Sequence, residues 1–151
     1  MLTFLDKHSD CFERSCIEGH FTGSSWLLSK DHKKALILHH KKLNQWLQLG
    51  GHCDGDTNVL NVAIKEAQEE SGILGIKALS EDIFDIDIHK IPARKNEPEH
   101  LHLDVRFLLH VVSDEEFIKN EESNALKWID LNEKDYPESL ERMIKKWANL
   151  A

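Results

Sequence analysis

Hydrophobic positions alternate with polar ones most regularly at residues 100–107 of this 151-residue chain. Leu101, Leu103, Val105 and Phe107 occupy every second position, which is the period of a strand with one buried face. Shorter apolar runs bounded by polar turns predict further strands. These lie at residues 21–29, 35–40, 73–79, 84–89 and 125–131. The pattern therefore predicts a sheet that takes up much of the chain.

Helical periodicity appears between these strands and at both ends of the chain. Apolar residues at a spacing of three and four predict helices at about residues 3–13, at 58–70 and after Pro137. Asp56 or Thr57 is expected to cap the start of the central helix, and Gly72 suits the left-handed position after its end. Strands mixed with two substantial helices predict an α/β (α+β) fold with helices on both faces of a mixed sheet.

Three glutamates occupy unusual positions on the central helix. At about 100° per residue, Glu66 and Glu70 share the sector of the apolar stripe, and Glu69 lies at its edge. Carboxylates crowded at the C-terminal end of a helix repel each other and the helix dipole, so a cation is expected there. Oxygen ligands favour a hard ion such as Mg2+ or Mn2+. The alternative is a solvated acidic patch.

The order of residues around these glutamates resembles the signature of the Nudix hydrolases, including MutT-like proteins. That signature runs Gly, five residues, Glu, seven residues, Arg-Glu, an aliphatic residue, any residue, Glu-Glu, any residue, Gly, aliphatic. The spacing here matches throughout, with Thr57 in place of the first Glu and Lys65 in place of Arg. In the family those two side chains pair with each other, so we expect a less rigid loop. The matched positions are Gly51, Thr57, Lys65, Glu66, Glu69, Glu70, Gly72 and Ile73.

The resemblance implies both a fold and an activity. The fold is the Nudix-type α/β/α sandwich with a central mixed β-sheet, formed by residues 1–151 as one domain. The activity is divalent-metal-dependent hydrolysis of a phosphoanhydride bond in a nucleoside diphosphate derivative. Glu66, Glu69 and Glu70 would be catalytic and, with the carbonyl of Gly51, would bind Mg2+ or, in its place, Mn2+. The alternative is a catalytically weak Nudix-fold module that binds a nucleotide.

Candidate substrate-binding residues lie outside the motif. His102, Asp104 and Arg106 alternate with the apolar residues of the 100–107 strand and would project from its other face. They would line the cleft and contact substrate phosphate, or they would form the solvent face of an edge strand. Trp46 would stack on a base, or anchor the core or a loop.

Composition narrows the partners. The net charge of -8 argues against a nucleic-acid polymer, which would need a basic face. No segment approaches the roughly 20 apolar residues of a membrane helix, and no signal-peptide core begins the chain. Three cysteines without metal-type spacing fit reduced thiols. We therefore expect a cytoplasmic enzyme with a small diphosphate substrate and no membrane partner; a homodimer stays open.

Overall fold

Seven strands and three helices make up the described part of the chain. The computed structural model describes residues 1–132 and 136–150. In chain order the elements are α1 (Leu2–Lys7), β1 (Gly19–Leu28), β2 (Lys34–His40), β3 (Gln45–Leu47), β4 (Leu49–His52), α2 (Val59–Ser71), β5 (Ile76–Ile91), β6 (His100–Val111), β7 (Ser123–Asp130) and α3 (Glu138–Leu150).

The strands form one mixed sheet in the order β3-β2-β1-β6-β5, with β4 paired to β1 and β7 paired to β2. The pair β1–β6 is parallel, and the other pairs are antiparallel. β6 therefore lies inside the sheet, between β1 and β5. This placement excludes the edge-strand alternative for the 100–107 segment.

Each face of the sheet carries its own apolar core. On one face Phe21, Leu103 and Phe107 pack with Val62 and Ala67 of α2. On the other, Trp26 and Leu108 pack with Leu140 and Met143 of α3. Because side chains alternate along β1 and β6, the two strands supply both cores. The result is the predicted α/β/α arrangement with a central mixed sheet.

The ends of α2 explain why the motif helix is as long as it is. The side chain of Asn58 accepts a hydrogen bond from the Asn61 N–H, so Asn58 is the N-cap rather than the expected Asp56 or Thr57. Gly72 ends the helix in the left-handed conformation at φ 72°, as predicted.

Among the described residues, no helix is long and apolar enough to cross a bilayer.

Two elements differ in length from the prediction. The first helix was expected to reach residue 13 but ends at Lys7, because the carbonyls of Cys11 and Phe12 accept hydrogen bonds from Phe21 and Gly55. The two strands expected at 73–79 and 84–89 form the single strand β5. The register of its pairing with β6 shifts between Ala78 and Ile83 and again between Ile83 and Asp85, which is where the polar residues between the two expected strands lie.

Candidate active site

Two of the motif glutamates turn inward against the strand β4. Glu70 is only 7% exposed, and its carboxylate accepts a hydrogen bond of 2.7 Å from the Gly50 N–H. The carboxylate of Glu66 lies so close to Gly51 that a Cβ there would come within 2.4 Å of it. A glycine at position 51 therefore leaves space for the carboxylate. Close packing against Glu66 explains why this motif position needs a residue without a side chain.

Burial and neighbouring negative charges make both carboxyl groups weaker acids than an ordinary glutamate. Burial, helped by the charge of Glu69, raises the pKa of Glu66 to about 7. Burial raises the pKa of Glu70 to about 8, and Glu66 adds to this effect, although the bond from Gly50 opposes it. None of the ion pairs within residues 1–132 and 136–150 involves Glu66, Glu69 or Glu70.

Glu69 and Glu122 lie beside this pair. We call Glu66, Glu69, Glu70 and Glu122 the acidic group. Glu69 is exposed on α2, and the exposed Glu122, just before β7, is near enough to raise the pKa of both Glu66 and Glu70. The three motif carboxylates do not converge to within 4.8 Å of one another. Their oxygens, with the carbonyl of Gly51, form a donor set that suits a hard divalent cation. The residues present therefore fit such an ion.

The loop between β4 and α2 is held by contacts that the motif does not contain. Arg14 forms a two-pronged pair with Asp54, with bonds of 2.7 and 2.8 Å, and the Gly55 N–H donates to the Phe12 carbonyl. Gly55 has φ 90°, which favours glycine. The N-terminal segment thus ties the loop, where the family's Glu–Arg pair is replaced by Thr57 and Lys65. Reasoning from the motif alone missed Arg14 because it lies 40 positions from Asp54.

The polar face of β6 is buried rather than open. Arg106 is 0% exposed and donates to Asp104 and Asp85 at 2.9 Å each, while His89 contacts it at 3.1 Å. This environment leaves Arg106 enclosed by protein groups, which corrects the expectation that it faces a substrate cleft. The expectation was wrong because a period of two shows which residues share a face of the strand, but not which other elements cover that face.

Asp104, like Arg106, is buried and hydrogen-bonded to other protein groups. It is 4% exposed and accepts hydrogen bonds from Thr22, Ser24, Gln48 and Arg106. The expectation that its side chain lines an open cleft does not match this placement. Sequence reasoning missed the partners because they come from β1 and from the residue between β3 and β4, which only the fold brings together.

His102 lies near the start of β6, among other imidazoles. Its ring centroid is 4.9 Å from that of His20 and 5.1 Å from those of His52 and His100. Burial and the neighbouring rings lower the pKa of His102 to about 3, and burial lowers that of His52 to about 4. Both rings are therefore neutral at pH 7.

Trp46 lies on the short strand β3. Its ring packs against the core on the α3 face, and the ammonium of Lys127 lies 4.4 Å from the ring centroid. Glu66 and Glu70 belong to α2, on the other face of the sheet. The structure therefore does not bring Trp46 together with the acidic group.

An apolar surface pocket of about 500 Å³ lies at the start of α2. Its lining includes Phe12, Phe21, Val59, Leu60 and Phe107. Val59 precedes Glu66 by seven residues and Glu70 by eleven, so the pocket and the acidic group are separated by about 10–16 Å along the helix. A ligand would have to be extended to reach both.

The family of the chain follows from its sequence profile. The profile of the NUDIX domain matches residues 21–147, which include the loop, α2 and all of the sheet except the first two residues of β1. The chain belongs to the Nudix hydrolase family. No curated protein matches the chain significantly.

Solved structures share the Nudix fold at low sequence identity. A Nudix hydrolase from Clostridium perfringens is 24% identical with a TM-score of 0.67, covering 87% of this chain and 98% of its own. The Ap4A hydrolase of C. elegans is 17% identical, with a TM-score of 0.59 and coverages of 86% and 96%. A MutT Nudix hydrolase from Burkholderia pseudomallei is 17% identical, with a TM-score of 0.62 and coverages of 83% and 95%. At these identities the likeness shows the fold.

The acidic group predicts an unusual pH dependence for the metal-free Nudix domain. Glu66 and Glu70 have pKa values raised from 4.5 to about 7 and 8, so the folded state holds protons that the unfolded state releases. Their stabilisation is fully present below about pH 4.5 and is lost as the pH rises through 7 and 8. We expect a loss on the order of 3 kcal/mol, allowing for coupling and partial exposure.

Chemical denaturation at pH 5 and pH 8.5, with a chelator present, measures this loss. The variant Glu66→Gln/Glu70→Gln is the control, since histidines and other groups titrate equally in both proteins. The expected result is a smaller fall in the free energy of unfolding for the variant. Equal falls in the two proteins would contradict the raised pKa values.

Proposed function

We propose that this Nudix protein is a divalent-metal-dependent hydrolase that cleaves a phosphoanhydride bond in a nucleoside diphosphate derivative. The observation that carries the proposal is an acidic pair in which Glu70 is buried and Glu66 is half-buried. The two side chains are packed against Gly50 and Gly51, and no ion pair among residues 1–132 and 136–150 involves either of them. Two neighbouring carboxylates that are largely removed from water are costly unless a cation compensates them. A Mg2+ ion, or Mn2+ in its place, fits this donor set.

The residues that would hold the ion are Glu66, Glu69, Glu70 and the backbone carbonyl of Gly51. A bound divalent ion neutralises phosphate charge and lowers the pKa of a coordinated water. The protein positions the group: the Gly50 N–H fixes one Glu70 oxygen, and the Arg14–Asp54 pair ties down the loop that carries Gly51. Rotation of the exposed Glu69 side chain would bring it toward the other two.

Glu122 is our candidate for the general base. It influences the pKa of both Glu66 and Glu70, so its carboxylate lies within electrostatic reach of the site, and being exposed it can accept a proton from water. Two further exposed carboxylates, Glu97 and Glu99, lie in the loop before β6. Glu99 pairs with Lys90 at 3.3 Å, whereas Glu122 is among the charges that raise the pKa of both Glu66 and Glu70. Glu122 is therefore the better-placed carboxylate.

A panel of diphosphate substrates tests the activity. Nucleoside triphosphates, dinucleoside polyphosphates and ADP-sugars would be incubated with the protein and Mg2+ or Mn2+, and phosphate or monophosphate release measured. Dinucleoside polyphosphates are included because a structural neighbour is an Ap4A hydrolase and because such ligands are long enough to reach the pocket beside Phe12. We expect release that a chelator abolishes and that the variant Glu69→Gln/Glu70→Gln lacks.

The outcomes separate the enzyme from the alternative binding module. Nucleotide binding without release from any member of the panel would favour the catalytically weak module. Release that persists in the chelator, or in the glutamine variant, would exclude the proposed site. The variant's thermal melting would be measured in parallel, so that loss of folding is not mistaken for loss of catalysis.

We also propose a cytoplasmic location. Cys11, Cys16 and Cys53 are buried and unpaired in the structure. Burial and nearby carboxylates raise the pKa of Cys53 to about 12, so its thiol stays protonated and is a poor nucleophile. Unpaired buried thiols are typical of proteins in a reducing compartment.

A further inference from the structure

Three histidines come together at one end of the sheet, at the start of the parallel pair β1–β6. His20 is opposite His102 in this pair, and His100 lies two residues before His102 on the same face. One ring nitrogen from each of His20, His100 and His102 lies within 4.8 Å of the others. We call these three residues the histidine cluster.

Hydrogen bonding orients His100 within the cluster. Its Nδ1 lies 2.9 Å from the carbonyl of Pro98; because a carbonyl only accepts, Nδ1 carries the proton and Nε2 has a free lone pair. That Nε2 lies 3.3 Å from the Nε2 of His102. A ring N–H bonded to a backbone carbonyl is the usual outer support of a metal-binding histidine.

The spacing of these two nitrogens suits a shared metal ion. Two nitrogens bound tetrahedrally to zinc at about 2.0–2.1 Å are about 3.3 Å apart, which equals the separation of the His100 and His102 Nε2 atoms. The other explanation of the contact is a hydrogen bond between two neutral rings. The environment of His20 decides between these two explanations.

His20 is a buried imidazole without a hydrogen bond. It is 5% exposed, and neither ring nitrogen has a hydrogen-bond partner within residues 1–132 and 136–150. The backbone of Cys16 lies close enough to the ring to oppose the lowering of the His20 pKa by burial, but it does not reach hydrogen-bond geometry. A buried polar group without a hydrogen-bond partner destabilises the folded state. A bond from a ring nitrogen to a metal would remove that cost.

We propose that His20, His100 and His102 bind a divalent transition-metal ion of the zinc class, with the fourth coordination position open. Neutral imidazole nitrogens suit zinc, copper and nickel, whereas Mg2+ and Mn2+ prefer oxygen. His89, the neighbour of His102 on β5, contacts Arg106 at 3.1 Å and is not part of the set. His52 packs on His20 and His102 and forms a wall of the site.

This site is separate from the acidic group of α2. Gly51 faces Glu66, whereas the next residue on β4, His52, packs on the histidine cluster. Successive residues of a strand point to opposite faces. The two sites therefore lie on opposite faces of the sheet and differ in ligand chemistry, so each can be tested without the other.

Metal binding by the untagged protein tests the proposal. After removal of metals with a chelator and gel filtration, the protein would be titrated with Zn2+ in competition with a chromophoric chelator, and separately with Co2+. We expect one Zn2+ per chain and a tetrahedral Co2+ absorption spectrum. His20→Ala and His100→Ala should each weaken Zn2+ binding at least about 100-fold, the upper end of losses seen for outer-shell partners alone.

Two controls make the result specific. His110→Ala removes a histidine from the other end of β6, where it contacts His32 instead of the cluster, and should bind Zn2+ as the wild type does. Glu66→Gln/Glu70→Gln should do the same, because the acidic group lies on the other face. The failure of this proposal is thus distinguishable from the failure of the proposed hydrolase site.

Three results would overturn the metal site. The first is no Zn2+ uptake by the wild-type protein, which would leave a stack of neutral imidazoles. The second is unchanged affinity in His100→Ala, whose half-buried position makes it the safer variant to fold. The third is equal loss in His110→Ala. Circular dichroism and melting of each variant identify unfolded samples, and the rise in melting temperature with Zn2+ is expected to be smaller in His20→Ala and His100→Ala than in the wild type.

Discussion

Replacing Arg106 with methionine is expected to lower the free energy of unfolding by about 3–5 kcal/mol, the cost of breaking a buried ion pair from one side. The guanidinium is 0% exposed and pairs with Asp85 and Asp104, which are 3% and 4% exposed. Without it, two buried carboxylates lose a cationic partner at once. Methionine keeps the packing volume of the stem, so the loss reports the charge rather than a cavity.

Arg142 provides the matched control on the same carboxylate. It donates to Asp85 at 2.8 Å from α3, but its side chain is 40% exposed. Because Arg142 is partly exposed and Asp85 keeps Arg106 as a buried cationic partner, Arg142→Met should cost less, on the order of 1 kcal/mol. Urea denaturation of both variants measures the difference. Equal losses for Arg106→Met and Arg142→Met would show that burial does not set the energetics of this network.

The same network revises the expected role of Asp104. Four side chains donate to its carboxylate, so we now expect Asp104→Ala to lower stability before it affects turnover. The sequence showed correctly that Asp104 and Arg106 share a face. It could not show that β1 and β5 flank β6, because a parallel pairing between strands some 80 residues apart leaves no local signal.

The parts predicted well are those determined by local pattern. Apolar periodicity located β6, α2 and α3, and Gly72 occupies the left-handed position that its lack of a side chain allows. Errors occurred where a distant partner competes with local structure. The first helix stops early because the Phe12 carbonyl accepts from Gly55, and no propensity of residues 3–13 contains that information.

In the candidate site, too, the features with a local sequence signal could be predicted and the others required the fold. Motif spacing made Glu66 and Glu70 candidates, and the apolar stripe of α2 predicted the inward orientation that the structure shows for both side chains. The depth of burial required the fold, because β4 brings Gly50 and Gly51 against the two carboxylates. The histidine cluster had only a partial signal: His100 and His102 share a strand face, but His20 joins them through the β1–β6 register.

Replacing Glu70 with glutamine is expected to raise stability and to abolish most of the proposed activity. Glutamine keeps an oxygen that can accept from the Gly50 N–H but carries no charge to bury. Because the pKa of Glu70 is raised from 4.5 to about 8, the gain in the free energy of unfolding of metal-free protein should be small near pH 5, grow as the pH rises, and be complete above about pH 8. Hydrolysis should fall at least about 100-fold, the scale of losing an electrostatic stabiliser.

Opposite signs for stability and activity distinguish a site residue from a structural one. A merely structural carboxylate would lose stability when neutralised, whereas Glu70 is costly to the fold and is retained, on our proposal, for the cation it holds. Glu138→Gln, an exposed carboxylate in the first turn of α3, is the control and should leave the hydrolysis rate unchanged. Denaturation at pH 5 and pH 9, with kcat measured at saturating Mg2+, tests both halves. A Glu70→Gln variant that is less stable at pH 9, or that hydrolyses at the wild-type rate, would remove Glu70 from the proposed metal site.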